Sequence, residues 1–252
     1  MNIAHLLFLV AAGLVAGTVN SIAGGGSLIS FPALLFVGLG PIVANVTNSL
    51  ASLPGYISGT IGYRRALPHQ RHRLIQASIA CVFGSVVGTV ILLTTPVSYF
   101  RAVVPFLILG ACALLVFQER ISLFVSFSKV SSKSKWVMPL AIGISAIYGS
   151  YFGAGLGIIL LAILSIFSDE TLQNNNALKI TLSVVIASVG DLIYVLVTHV
   201  AFLDAGVMAI GFILGGFLGA KIASRLSARV LRISIVIFGV CVSSILFYQT
   251  YL

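Results

Sequence analysis

The chain has 252 residues, 59% of them hydrophobic and only 8% charged, and it carries a formal net charge of +9. Its mean hydropathy is +1.16, whereas soluble domains carry about 25% charged residues. This excludes a soluble enzyme or a nucleic-acid-binding module and defines an all-α polytopic membrane protein whose main surroundings are the lipid bilayer.

No Lys, Arg, Asp or Glu precedes Arg64. The first apolar run has no basic n-region and continues through Gly17 and Asn20, so it reads as a retained helix and not as a signal peptide. The run from Ile3 to Leu39 is interrupted at Ala23-Gly24-Gly25-Gly26-Ser27. Inside a bilayer every freed N–H and C=O needs a partner, so irregular backbone is confined to places buried in protein or facing a hydrated cavity. A broken or re-entrant helical hairpin is expected there. A crossing from Val43 to Tyr63 follows and opens on Asn45, Thr47, Asn48, Ser49 and Ser52.

Arg64, Arg65, Arg71 and Arg73 form the first basic cluster; the runs Leu74 to Thr94 and Val97 to Phe117 follow, separated by Thr95-Pro96. A second cluster, Arg120, Lys129, Lys133 and Lys135, precedes another interrupted run, Trp136 to Phe167, with Gly153-Ala154-Gly155-Leu156-Gly157 inside it. Runs from Ala177 to Thr198 and from Phe202 to Ala220 lead to the third cluster, Lys221, Arg225, Arg229 and Arg232, and a last run covers Ile233 to Leu252.

Basic loops face the cytoplasm, and parity then constrains the topology. Two crossings join the first cluster to the second. Three runs join the second to the third, so the broken run must enter and return, leaving Ser168-Asp169-Glu170-Thr171 on the cytoplasmic side. The same logic starts the chain outside. The expected organisation is a first membrane repeat over 1–118, a basic cytoplasmic linker over 119–135 and a second membrane repeat over 136–252. Each repeat is a broken hairpin plus three transmembrane helices. Three is odd, so the repeats are inverted. In the alignment, Ala23-Gly24-Gly25-Gly26 through Phe31-Pro32-Ala33-Leu34 is set against Gly153-Ala154-Gly155-Leu156 through Leu161-Ala162-Ile163-Leu164, and Thr47-Asn48-Ser49-Leu50 against Asn175-Asn176-Ala177-Leu178.

Paired broken segments point to a transporter's binding site. A helix N-terminus after a Gly-rich turn presents free N–H groups and a partial positive charge, which suits a small anion. The expected substrate-binding residues are therefore Gly24, Gly25, Gly26 and Ser27 with Gly153, Gly155 and Gly157. Asn20, Asn48, Ser49 and Asn176 supply hydrogen bonds, and Lys179 supplies charge. Asp191, the other charge in its run, is expected to couple transport to a proton, because charges inside membrane helices usually line a pathway or meet a partner. Gly13, Gly17, Gly211, Gly215 and Gly219 read as close-packing positions, the last three also permitting a homodimer. Tyr56, Tyr63, Tyr99, Tyr148, Tyr151 and Tyr194 read mostly as interfacial aromatics.

Cys81, Cys112 and Cys241 lack C-x-x-C spacing, and His5, His69, His72 and His199 form no ligand motif; no metal, disulfide or other cofactor is expected. Two rival readings are a passive anion channel built from the same parts and an intramembrane hydrolase using Ser27 with His199. The latter lacks a G-x-S-x-G pattern.

The stretch Gly17-Thr18-Val19-Asn20-Ser21-Ile22-Ala23-Gly24-Gly25-Gly26, then Phe31-Pro32-Ala33-Leu34 and Thr47-Asn48-Ser49-Leu50, resembles the first repeat of the TauE/SafE sulfite exporter family. Asn176-Ala177-Leu178-Lys179 and Gly215 to Ser227 extend the resemblance through the second half. It implies an inner-membrane permease, a secondary transporter that moves small organosulfur or carboxylate anions such as sulfite or sulfoacetate, usually outward. The second repeat departs from the family's Gly-x-Gly-Gly-Gly, and Ala162 stands where a proline is common.

Overall fold

The structure is a computed structural model, and it describes residues 3–22, 24–63, 71–127, 137–168, 170–222 and 228–251. These residues form ten helices: α1 (Ile3–Ile22), α2 (Ser27–Phe36), α3 (Pro41–Gly62), α4 (Arg71–Thr94), α5 (Val97–Phe127), α6 (Val137–Tyr151), α7 (Leu156–Phe167), α8 (Leu172–Val197), α9 (Phe202–Ile222) and α10 (Ala228–Tyr251). Helix starts follow local chemistry. Pro41 sits where a helix has no use for an N–H, and the Thr171 side chain accepts from the Asn174 backbone N–H to cap α8.

Five helices carry stretches long and apolar enough to span a bilayer, in α1, α4, α5, α8 and α10. By contrast α2, α6 and α7 have 10, 15 and 12 residues; at 1.5 Å per residue none of them reaches the ~30 Å of the hydrocarbon core. The 22 residues of α3 are long enough but polar. That polarity is turned inward, where Asn45, Thr47, Asn48 and Ser52 are buried, while the outer surface exposes Phe83, Leu140, Leu192 and Leu196.

Glycines set the helix directions. A Cβ on Gly13 would overlap the Met208 carbonyl and one on Gly17 would meet Phe212, so α1 and α9 run parallel at backbone contact. Gly55 and Gly216 bring α3 beside α9 in the same direction. In the other half Gly84 abuts the Gly143 carbonyl and Gly88 the Ile147 carbonyl, making α4 and α6 a second parallel pair. The start of α4 lies beside the start of α8: Arg73 donates to Ser168 at 2.8 Å and pairs with Glu170 at 3.5 Å. Gly190 of α8 then lies against Thr89 of α4. The two sets are antiparallel, because Tyr63 at the end of α3 accepts a hydrogen bond from Asn176 near the start of α8.

Exchanging α1 with α6, α2 with α7, α3 with α8, α9 with α4 and α10 with α5 carries most of the helix contacts onto one another, although α3–α5 and α2–α5 have no counterpart of that size. The pairs α1–α9, α3–α9, α1–α2, α2–α3 and α2–α10 become α6–α4, α8–α4, α6–α7, α7–α8 and α7–α5, all of which are observed.

Two sequence expectations change. The segment expected to be a linker from residue 119 is still helical as far as Phe127, because α5 continues beyond its apolar stretch. Gly211 and Gly215 are not free for a second copy of the chain: they are filled by the backbone of α1 at Val10 and Leu14. Arg64, Arg65, His69, Lys129, Lys133, Lys135 and Arg225, and the side chains of Arg120, Lys221 and Arg229, lie outside the described residues.

Candidate anion site between two helix breaks

The two breaks are built alike. Gly24 and Gly25 have φ of +76° and +87°, and Gly153 and Gly155 have +76° and +78°, a region where a side chain clashes with its own backbone. The hydrogen bonds also match. Gly24 N–H reaches the Val19 carbonyl at 3.1 Å, as Gly153 N–H reaches Tyr148 at 3.1 Å; Ile29 N–H reaches Gly26 at 2.9 Å, as Ile158 N–H reaches Gly155 at 2.9 Å. These bonds set Gly24 against Gly153 and Gly26 against Gly155, whereas the left-handed backbone of Gly25 and Gly155 and the bond from Leu28 N–H to Gly25 at 3.0 Å set Gly25 against Gly155.

The breaks touch. A Cβ on Gly24 would lie 3.8 Å from the Ile158 nitrogen and 4.0 Å from the Gly157 carbonyl carbon. The starts of α2 and α7 therefore converge, and carbonyls of the breaks take several of their first N–H groups: Leu28 on Gly25 at 3.0 Å, Ile29 on Gly26 at 2.9 Å, Leu156 on Gly153 at 3.1 Å and Ile158 on Gly155 at 2.9 Å. Lys179 of α8 completes the arrangement. Its aliphatic stem lies along Gly157, a Cβ there being 3.6 Å from Cδ and 3.9 Å from Nζ. Lys179 is 7% exposed, so it does not snorkel to the interface. Among the described residues the ion pairs are His5–Asp204 and Arg73–Glu170; neither involves Lys179.

These groups line a small chamber of about 40 Å³, with Asn20, Gly24, Gly25, Ser27, Gly153, Gly155, Gly157 and Lys179 in its wall beside Ser21, Tyr56 and Ser183. Among the described residues no acidic side chain is in that wall. Two helix N-termini and one ammonium facing a small space suit an anion. Gly26 stands behind the wall, packed on the Ala16 carbonyl, with its N–H 3.4 Å from the Asn20 side-chain oxygen.

Asn48 and Ser49 lie elsewhere. They line a second small chamber of about 30 Å³ together with Asn45, Ser52, Ser150 and Tyr194. The chambers share Ser27, Tyr56, Gly153, Leu156 and Ser183, so the second lies across a common wall from the first. Ser30 donates to Asn48 Oδ1 at 2.5 Å and Asn45 donates to the Tyr151 carbonyl at 2.9 Å. Asp191 sits behind this chamber, 3% exposed, with neither carboxylate oxygen hydrogen-bonded. Asn176 reaches neither chamber; it lies one turn before Lys179 on α8, held by Tyr63 at 3.0 Å.

The tyrosines correct a further expectation. Tyr56 lines both chambers, and Tyr194, 1% exposed, donates from its hydroxyl to the Ser150 carbonyl. Their position near run ends suggested a belt, but Asn48, Ser52 and Tyr56 recur every four residues, one inward stripe of α3. Ser183, four residues after Lys179, was readable in the same way. The hydrolase pairing finds no geometry: Ser27 is buried, His199 is exposed beyond the end of α8, and no histidine lines either chamber.

Ten helices, five of them able to span a bilayer, around two buried polar chambers define a polytopic helical membrane protein. The sequence profile of the family described as Sulfite exporter TauE/SafE matches residues 9–246. The chain belongs to that family and is a membrane transporter. It is 28% identical to Probable membrane transporter protein ORF9 of Sinorhizobium sp, over 95% of this chain and 91% of that protein. It is 26% identical to a Probable membrane transporter protein of Haemophilus influenzae, over 97% and 95%. With Probable membrane transporter protein YfcA of Escherichia coli K12 the identity is 25%, over 98% and 90%. No solved structure matches it.

Proposed function

We propose that the protein is a secondary transporter of the inner membrane that exports small anions, sulfite or small organosulfonates and organic acids, by alternating access between two inverted repeats. The observation that carries this reading is Lys179: a buried ammonium against Gly157, at the point where two helix N-termini converge, with no acid in the surrounding wall. Such a site is complete except for a negative charge.

The alternation is supported by the two chambers, which share a wall made by the breaks themselves. The anion rests on Gly24, Gly25, the start of α7 and Lys179, with Asn20 and Ser27 adding hydrogen bonds. Asn48 and Ser49 receive it in the opposite-facing state. The inverted-repeat reading draws on two features: corresponding helices occupy exchanged positions, and the set α1, α3, α9 runs against the set α4, α6, α8.

Purified protein in proteoliposomes tests this. Labelled sulfite, sulfoacetate, thiosulfate or a short carboxylate should accumulate transiently against unlabelled internal anion, which a passive channel does not produce. Hydrogen bonds to charged groups contribute roughly 1.5–3 kcal/mol, so Lys179→Met should lower the rate about tenfold to a hundredfold. Flux that is unchanged in Lys179→Met contradicts the site.

A further inference from the structure

Asp191 is the buried charge that anion binding does not use. By ordinary geometry no hydrogen bond closes on its two oxygens, and the donor that acts on it is the Ser49 hydroxyl of α3. The other titratable groups that sense it are Tyr56 on α3 and Tyr194 on α8 itself. From α4 and α6 the nearby polar groups are the hydroxyls of Thr89 and Ser150, which lie against the neighbouring Gly190. No Lys, Arg or His lines the chamber in front of it. The cation on its own helix, Lys179, is twelve residues away, about 18 Å along the axis. An ionised carboxylate this deeply buried is tolerated only while the Lys179 ammonium balances its charge. A protonated carboxyl among hydroxyls is satisfied, because it can donate as well as accept.

We infer that Asp191 binds a proton that travels with the anion, one proton for each anion on Lys179. This rests on the anion site described above. Charge balance decides the pairing. Lys179 and Asp191 are the only charged residues in α8, and α2, α3, α6 and α7 have none. Empty, the interior holds one ammonium and one carboxylate. An anion arriving alone would leave an uncompensated negative charge in a region of low dielectric, whereas an anion and a proton arriving together leave the buried charge unchanged. Exchanging the proton against the anion would instead leave net charge in both half-cycles. For a monovalent anion transport is then electroneutral, and its net direction follows the sum of the anion gradient and the pH gradient, so export requires an outward anion gradient steeper than the inward proton gradient.

The test uses the full chain in proteoliposomes with labelled methanesulfonate and isethionate, both monovalent at neutral pH, the potential clamped by potassium and valinomycin. With the outside one pH unit more acid, the wild type should concentrate anion inside about tenfold, the limit for one proton per anion. A potential imposed at equal pH should drive nothing. Asp191→Asn, which mimics the protonated carboxyl, should lose accumulation driven by the pH gradient while still exchanging labelled for unlabelled anion; Asp191→Glu should retain the pH drive. Counterflow that ignores the pH gradient in the wild type, accumulation undiminished in Asp191→Asn, or accumulation driven by a sodium gradient instead would each overturn the inference and leave the transport reading standing. Absence of counterflow with either anion overturns the transport reading and this inference with it. If Asp191→Asn does not reconstitute, the wild-type responses to pH and potential decide alone.

Discussion

At the scale of single residues, Gly24 and Gly153 hold the same backbone conformation, with φ of +76° in both, but in different surroundings. A Cβ on Gly24 meets the Ile158 side chain at 3.5 Å, ordinary contact, whereas one on Gly153 would lie 2.8 Å from the Gly149 carbonyl oxygen. Gly24→Ala should therefore cost about 1–2 kcal/mol of strain. Gly153→Ala should cost about 1–3 kcal/mol more for the overlap. Thermal unfolding of the two variants in detergent measures the difference; equal melting temperatures would contradict the geometry. The glycine clusters were legible as breaks because glycine is the residue that reaches this conformation freely. Their relative register was not, since Gly24-Gly25-Gly26 and Gly153-Ala154-Gly155 fit one another almost equally well in two offsets.

Between elements, the molecule is joined by two seams without side chains, α1 on α9 and α4 on α6. A Cβ on Gly215 would overlap the Leu14 carbonyl, and one on Gly88 the Ile147 carbonyl. Both contacts are backbone, so neither can be relieved by a rotamer change. Gly215→Leu and Gly88→Leu should each lower folded, monodisperse yield severely. Gly110→Leu, where nothing lies within 4 Å, should be tolerated; size-exclusion chromatography distinguishes them. The spacing of Gly211 and Gly215 was readable as a packing face, but which helix fills it was not, because small residues at that spacing serve a neighbouring helix and a second chain alike. The Arg73–Glu170 pair is different in kind. Its side chains are 39% and 31% exposed, so it contributes about 0–1 kcal/mol, and Arg73→Ala should leave the melting temperature nearly unchanged.

Across the whole molecule, charge parity required the second broken run to return, and the connector at Ser168 and Glu170 does sit with Arg73 at one end of the bundle. What parity could not supply is the division of the interior. The sequence reading gathered Asn20, Asn48, Asn176 and Lys179 into one site, whereas packing sends Asn48 to the second chamber and Asn176 to a contact with Tyr63. The reason is length: α3 and α8 pass each other antiparallel over more than 20 residues, so polar groups along them are spread through about 30 Å of depth. Alternating access predicts that a cysteine at Ser21, in the first chamber alone, and one at Ser52, in the second alone, react with membrane-impermeant maleimide from opposite sides in a background without native cysteines. Anion should shift their reactivities in opposite senses; labelling of both from one side would contradict the account.

The central claim is that Lys179, between the two breaks, holds the transported anion, and counterflow in proteoliposomes with wild type and Lys179→Met side by side tests it most directly. The account predicts transient accumulation of labelled anion in the wild type and a rate about tenfold to a hundredfold lower in the variant. Equal counterflow in the two proteins would contradict it.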